Sequence, residues 1–187
     1  MPTTAQRLAA IAAVLIVGLT TVGIAAGSNY RGLTDRPIKA LSADTIRDLR
    51  DGKGMSLALA AELNGWPGPR HVLDLAGPLA LTDQQRQRVE AEFTAMQAVA
   101  RTLGRDVIAA EADLEALFNR EEPDDTSIRR TVDRIAALQG ALRYTHLRHH
   151  LATTRILTPE QTARYAALRG YETERPHEPR DGHHTIK

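Results

Sequence analysis

A pair of mirrored apolar seams constrains this chain more than any other feature. From Val89, apolar residues recur at Phe93, Met96, Ala100, Leu103, Val107, Ala110, Leu114 and Leu117, stepping by four and three in turn. A heptad repeat of this kind holds one stripe of a helix against a partner. The pattern breaks from Asn119 to Pro123, and Asp124-Asp125 can cap a new helix. A second seam then runs Thr131, Ile135, Leu138, Leu142, Thr145, His149, Ala152, Ile156. Facing residues of an antiparallel hairpin have numbers with a constant sum. Val89 with Ile156, Phe93 with Ala152, Met96 with His149, Leu103 with Leu142, Val107 with Leu138 and Ala110 with Ile135 each add to 245. Half of 245 falls between Glu122 and Pro123, inside the break. Any mirrored pattern gives some constant; its agreement with an independently placed turn selects a hairpin. At 1.5 Å per residue its arms are about 45–55 Å long. Gly104 and Gly140 fall in nearly the same layer, either as tolerated helix glycines or as a bend in the hairpin.

Two identical start signals flank the hairpin. Leu81-Thr82-Asp83-Gln84-Gln85 has the spacing of a capping box, with Thr82 as N-cap, Gln85 reaching back to it and Leu81 placed for a hydrophobic staple. Leu157-Thr158-Pro159-Glu160-Gln161 repeats the device, with Pro159 at the first helical position. The first box opens the long arm; the second opens a shorter helix through Leu168. The hairpin domain therefore spans residues 81–170. Short helices are expected within residues 40–80: one capped by Ser42 and stopped at Gly52, one from Met55 to Leu63, and one from His71 to Ala76. The expected fold is all-α, a long antiparallel helical hairpin with short flanking helices. An aromatic content of 4% beside abundant alanine, leucine and arginine agrees, since β-sandwiches want aromatic and β-branched residues.

The ends read differently. Leu8 to Ala26 is a run of 19 residues without charge, preceded by Arg7, and forms an N-terminal hydrophobic helix outside the fold. Its length suits an inner-membrane anchor, while Gly23-Ile24-Ala25 offers a cleavage site for a signal peptide. Residues 1–27 are thus expected to export the body from the cytoplasm by either route. Residues 28–39 read as a linker, and residues 171–187 as a disordered tail rich in charge, Pro and His.

Lys and Arg number 24 against 23 Asp and Glu. With Arg7 set apart the body is neutral, which argues against nucleic-acid binding. Without cysteine there is no thiol catalysis and no thiolate metal site. No zinc-protease, Walker, nucleophile-elbow or dinucleotide motif occurs, so no enzyme is expected.

Two Leu-Thr-x-x-Gln boxes flanking a helical hairpin behind an export segment resemble the Spy/CpxP-like (LTxxQ-motif) periplasmic proteins, which include CnrX/ZraP-type heavy-metal sensors. The resemblance covers about residues 81–170. It implies a four-helix protomer and a homodimer forming a curved cradle. Unfolded clients or an envelope-stress regulator would bind there without nucleotide or required cofactor. No client-binding residue is assigned, although Arg86, Arg101, Arg105, Arg134, Arg143 and Arg148 lie off the seams, either as an amphipathic client surface or as a solvated face.

The alternative is a sensor or buffer for Ni, Co, Cu or Zn. His146 and His150 share a helix face, and His149 lies in the seam opposite Met96. Imidazole with thioether suits such metals better than hard cations. Against this stand a tolerated polar seam residue and solvated neighbours. CnrX-type members carry paired histidines on their first helix, where this chain has His71. His177, His183 and His184 in the tail could chelate only weakly. A third alternative is a structural coiled-coil module tethered to the membrane.

Overall fold

The structure is a computed structural model that describes residue 30 and residues 32–171. The N-terminal apolar segment and the tail beyond Tyr171 lie outside these residues. The chain divides into two units, Met1–Thr34 and Asp35–Lys187. Of the first, the described part is a turn in which Leu33 N–H donates to the Tyr30 carbonyl at 3.0 Å.

The second unit is helical throughout its regular structure, with six helices among the described residues: α1 (Ala43–Asp51), α2 (Leu59–Glu62), α3 (Pro69–Asp74), α4 (Asp83–Phe118), α5 (Asp125–Thr154) and α6 (Pro159–Leu168). The long pair α4 and α5 pack together as the expected hairpin. Asp113 pairs with Arg134 at 3.1 Å and Glu92 with His149 at 2.6 Å. Their numbers add to 247 and 241, either side of the expected 245. Asn119 closes α4, and the Asp124 carboxylate caps α5 by accepting from the Thr126 and Ser127 amides.

Both capping boxes form, and they interlock. Thr82 accepts from the Gln85 amide while Gln85 Oε1 accepts from the Thr82 amide; Thr158 and Gln161 do the same. Each glutamine then donates across to the other, Gln85 Nε2 to Gln161 Oε1 at 2.8 Å and Gln161 Nε2 to Gln85 Oε1 at 3.0 Å. Gln85 Nε2 also donates to the Ile156 carbonyl and Gln161 Nε2 to that of Leu79. The starts of α4 and α6 are held as one unit. Below them, Val72, Leu79, Val89, Ile156, Leu157 and Tyr165 form an apolar cluster, with Leu81 packed on it.

A second apolar cluster joins α1 to the middle of the hairpin through Ile38, Leu41, Leu49, Ala100, Val107 and Leu142. Ile38 lies in the stretch read as a linker but is buried here, and Lys39 beside it pairs with Glu115 at 2.8 Å. Gly104 explains the close approach of α1. A Cβ built on it would stand 2.1 Å from the Leu49 carbonyl oxygen, so only glycine fits. Gly140, on the other arm, faces open space. The two glycines therefore differ in role despite sharing a layer.

Two short helices depart from expectation. The apolar run from Met55 is helical only from Leu59 to Glu62, because Met55 (φ 44°) and Ser56 (φ 65°) take left-handed conformations that end any helix. The next helix starts earlier than expected, at Pro69, whose fixed φ suits the first helical position.

Candidate metal centre

Between the two apolar clusters, α5 buries a polar layer. Thr145, His146, His149, His150 and Thr153 are all buried, in the stretch separating Leu142 from Ile156. The threonines satisfy themselves by donating to carbonyls one turn back, Thr145 to Ala141 and Thr153 to His149. The imidazoles make no such bond to a carbonyl of their own helix. They depend on what packs against α5.

Each ring is treated differently. His149 Nδ1 meets the Glu92 carboxylate of α4 at 2.6 Å. An ionised carboxylate only accepts, so Nδ1 carries the proton and donates. His150 Nδ1 donates to the Trp66 carbonyl at 2.7 Å. In a neutral ring that arrangement leaves the lone pair on Nε2, the nitrogen free to bind a metal. Among the described residues, the buried Nε2 atoms of His146 and His149 find no hydrogen-bond partner. A buried nitrogen left unpaired costs about 1–3 kcal/mol, so two in one layer require an explanation.

His146 and His150 line a cavity of about 810 Å³. Met96 and Phe93 of α4 share it, with Glu62 of α2 and His71 of α3. His149 sits in the same layer, turned to Glu92, and is not among the cavity's lining residues. Gly68 allows the loop before α3 to close over the site. A Cβ there would lie 2.6 Å from His150 Nε2.

The electrostatics favour neutral donors. Burial, together with the nearby charges of His150 and His149, pushes His146 down to about 4. Burial also lowers His150, against the raising effect of the Trp66 carbonyl and of Glu62. At neutral pH both rings are uncharged, the form that a metal needs. Glu62 behaves oppositely. Burial opposes its ionisation, but hydrogen bonds from His71, Tyr165 and Tyr171 and the charge of His71 outweigh it and hold the carboxyl at about 2. It is therefore an anion, 5% exposed.

Of the four residues singled out in the sequence, the structure brings Met96, His146 and His150 to one cavity and sets His149 beside them in the buried layer. Glu62, His71 and Glu92 complete the surroundings. Glu62 had one visible sign, as the sole charged residue between Gly54 and Pro69. Glu92 had none, being one of many acidic residues on α4. The six arginines off the seams are exposed, and the tail histidines lie outside the described residues.

A family model for heavy-metal resistance matches residues 13–164. The chain belongs to this heavy-metal resistance family. It is the family of LTxxQ-type, Spy/CpxP-like proteins, whose members are typically periplasmic. No curated protein and no solved structure matches the chain. Among the described residues no helix is long and apolar enough to cross a membrane.

Membership raises the question whether these residues suit a metal. The donor set is imidazole and thioether, and two imidazole nitrogens are buried without partners, so the chemistry fits a borderline or soft transition metal. Among the described residues no three His, Asp or Glu side chains already form a metal-holding group. Binding would thus turn side chains within the layer.

Proposed function

We propose that this heavy-metal resistance protein is a periplasmic, non-enzymatic sensor or buffer for Ni, Co, Cu or Zn, with the buried layer of α5 as its binding site. His146, His149 and His150 would supply imidazole nitrogens and Met96 a thioether. The observation that carries this reading is the pair of buried, unpartnered Nε2 atoms on His146 and His149. A metal would satisfy both, and the low proton affinity of His146 keeps its lone pair available. Glu92 would hold the His149 tautomer by accepting from Nδ1, as carboxylates do behind metal-bound imidazoles. A homodimer, implied by the likeness to Spy/CpxP-like proteins, is part of the same proposal.

Calorimetric titration with each metal tests it, on the full chain and on a chain ending at Tyr171. The expected result is saturable binding, micromolar or tighter, that survives removal of the tail and weakens at least about tenfold in His149→Ala. Binding that vanishes with the tail, or that ignores His149, would overturn it.

The second reading is a holder of unfolded clients, favoured by large apolar side chains left in water on the hairpin: Val99, Phe118, Val132, Tyr144 and Leu151 are 40–64% exposed. Suppression of client aggregation without nucleotide, undiminished by Phe118→Asp, would remove Phe118 from such a surface. Absence of any suppression would remove the reading.

A further inference from the structure

Glu62 connects parts of the fold that are far apart in sequence. On the cavity side its Oε1 lies 3.4 Å from His71 Nδ1 and its Oε2 3.7 Å from His150 Nδ1. On the other side Oε1 accepts from the hydroxyls of Tyr165 and Tyr171, the latter at 3.1 Å, and Arg169 Nε stands 3.7 Å away. The Gly68 amide donates to Oε2 at 3.2 Å. Tyr165 belongs to α6, and Arg169 and Tyr171 directly follow it. They are also tied to one another, with the Arg169 guanidinium 5.4 Å from the Tyr171 ring centre and the two tyrosine rings edge to face.

One carboxylate is thus divided between two cavity-lining histidines and the end of α6. Its Oε1 serves both sides, so it cannot follow a new partner inward without loosening the tyrosines. We propose that Glu62 is a positioning residue that links the cavity to α6, such that a cation captured by His146, His150 and Met96 in the cavity they line draws the carboxylate inward and releases Tyr165, Arg169 and Tyr171. The linkage rests on the metal-binding reading above. A divalent ion attracts a buried carboxylate more strongly than two phenol hydroxyls and a partly exposed guanidinium do. No residue of α6 lines the cavity, so a response there reports transmission through Glu62 and not direct contact with the metal.

The test is hydrogen exchange on the purified full chain, with and without Ni²⁺ or Zn²⁺ alone at a concentration that calorimetry shows to saturate. Amides of α6 should exchange about tenfold faster with metal bound. Glu62→Gln keeps the size and an acceptor oxygen. It should still take up metal by calorimetry while its α6 exchange no longer responds. Circular dichroism checks that this variant folds. If it does not, Tyr165→Phe is the second variant, with α6 loosened beforehand and the metal response reduced. Unchanged or slower exchange in metal-loaded wild type overturns the linkage, as does a full response in either variant. Calorimetry showing no metal uptake sinks the metal-binding reading together with the linkage; uptake with α6 unmoved sinks the linkage alone.

Discussion

Two stretches of the hairpin, a few turns apart, handle burial in opposite ways. Where α1 crosses α4, the backbones come so close that the Leu49 carbonyl leaves room only for Gly104, and the surrounding residues are small or aliphatic. In the next layer, the chain from α2 to α3 closes on α5 at Trp66 and Gly68 but not along the whole layer. A cavity remains, and the buried side chains are imidazoles. The first layer is close-packed and chemically inert. The second holds two imidazole nitrogens, Nε2 of His146 and of His149, that nothing among the described residues satisfies, and it gives up stability that apolar side chains would have supplied. The difference separates a layer that shapes the hairpin from one that leaves imidazole nitrogens unpaired.

The contrast is broken most severely at Gly104. Gly104→Ala places a methyl group on the Leu49 backbone, which cannot rotate away, so α1 must lift. The expected cost is about 3 kcal/mol, read by denaturant unfolding. An unchanged midpoint would mean that α1 is not seated as described.

His146 sharpens the contrast from the other side. Its folded pKa of about 4 lies below the ordinary 6.5. The unfolded chain therefore takes up a proton as pH falls through 6.5, and the folded protein does not until about 4. Stability should be full above pH 6.5 and should fall by on the order of 2–3 kcal/mol as pH drops toward 4. His146→Leu should reduce this slope to what the lowered His150 contributes, raise stability at neutral pH by about 1 kcal/mol and weaken metal binding. A variant that keeps the slope would place its origin elsewhere. At lower pH Glu62 follows the same sign, its contribution present above about 4.5 and lost toward about 2.

The smallest effect belongs to Gly140, which is exposed with nothing near a built Cβ. Gly140→Ala should stabilise α5 by about 0.5–1 kcal/mol and leave metal titration unaltered. A loss of stability would show that the arm needs glycine there after all.

Much of the fold was legible because it is written in repeats. The mirrored seams placed the turn, and the caps at Ser42, Thr82, Asp124 and Thr158 marked helix starts that the structure reproduces. The short helices were less legible. Their bounds depend on left-handed residues at Met55 and Ser56 and on contacts made only after folding. For the candidate site, the histidines and Met96 stood out by spacing. Glu62 and Glu92 did not, since their meaning comes from which distant segment packs against α5. Gly104 was visible as an oddity, but its cause lies in Leu49, 55 positions earlier.

The paired glutamines carry one further consequence. In a lone capping box, glutamate would serve as well as glutamine, because only an acceptor is required. Here each side chain must accept from its own helix start and donate to its counterpart 76 residues away. Only an amide does both, and two carboxylates in those places would repel. The motif therefore acts as a self-complementary clasp that closes the stretch from Gln85 to Gln161 into a ring without a covalent bond. Change at either box is coupled to the other, as though the two short phrases were a single word split across the chain.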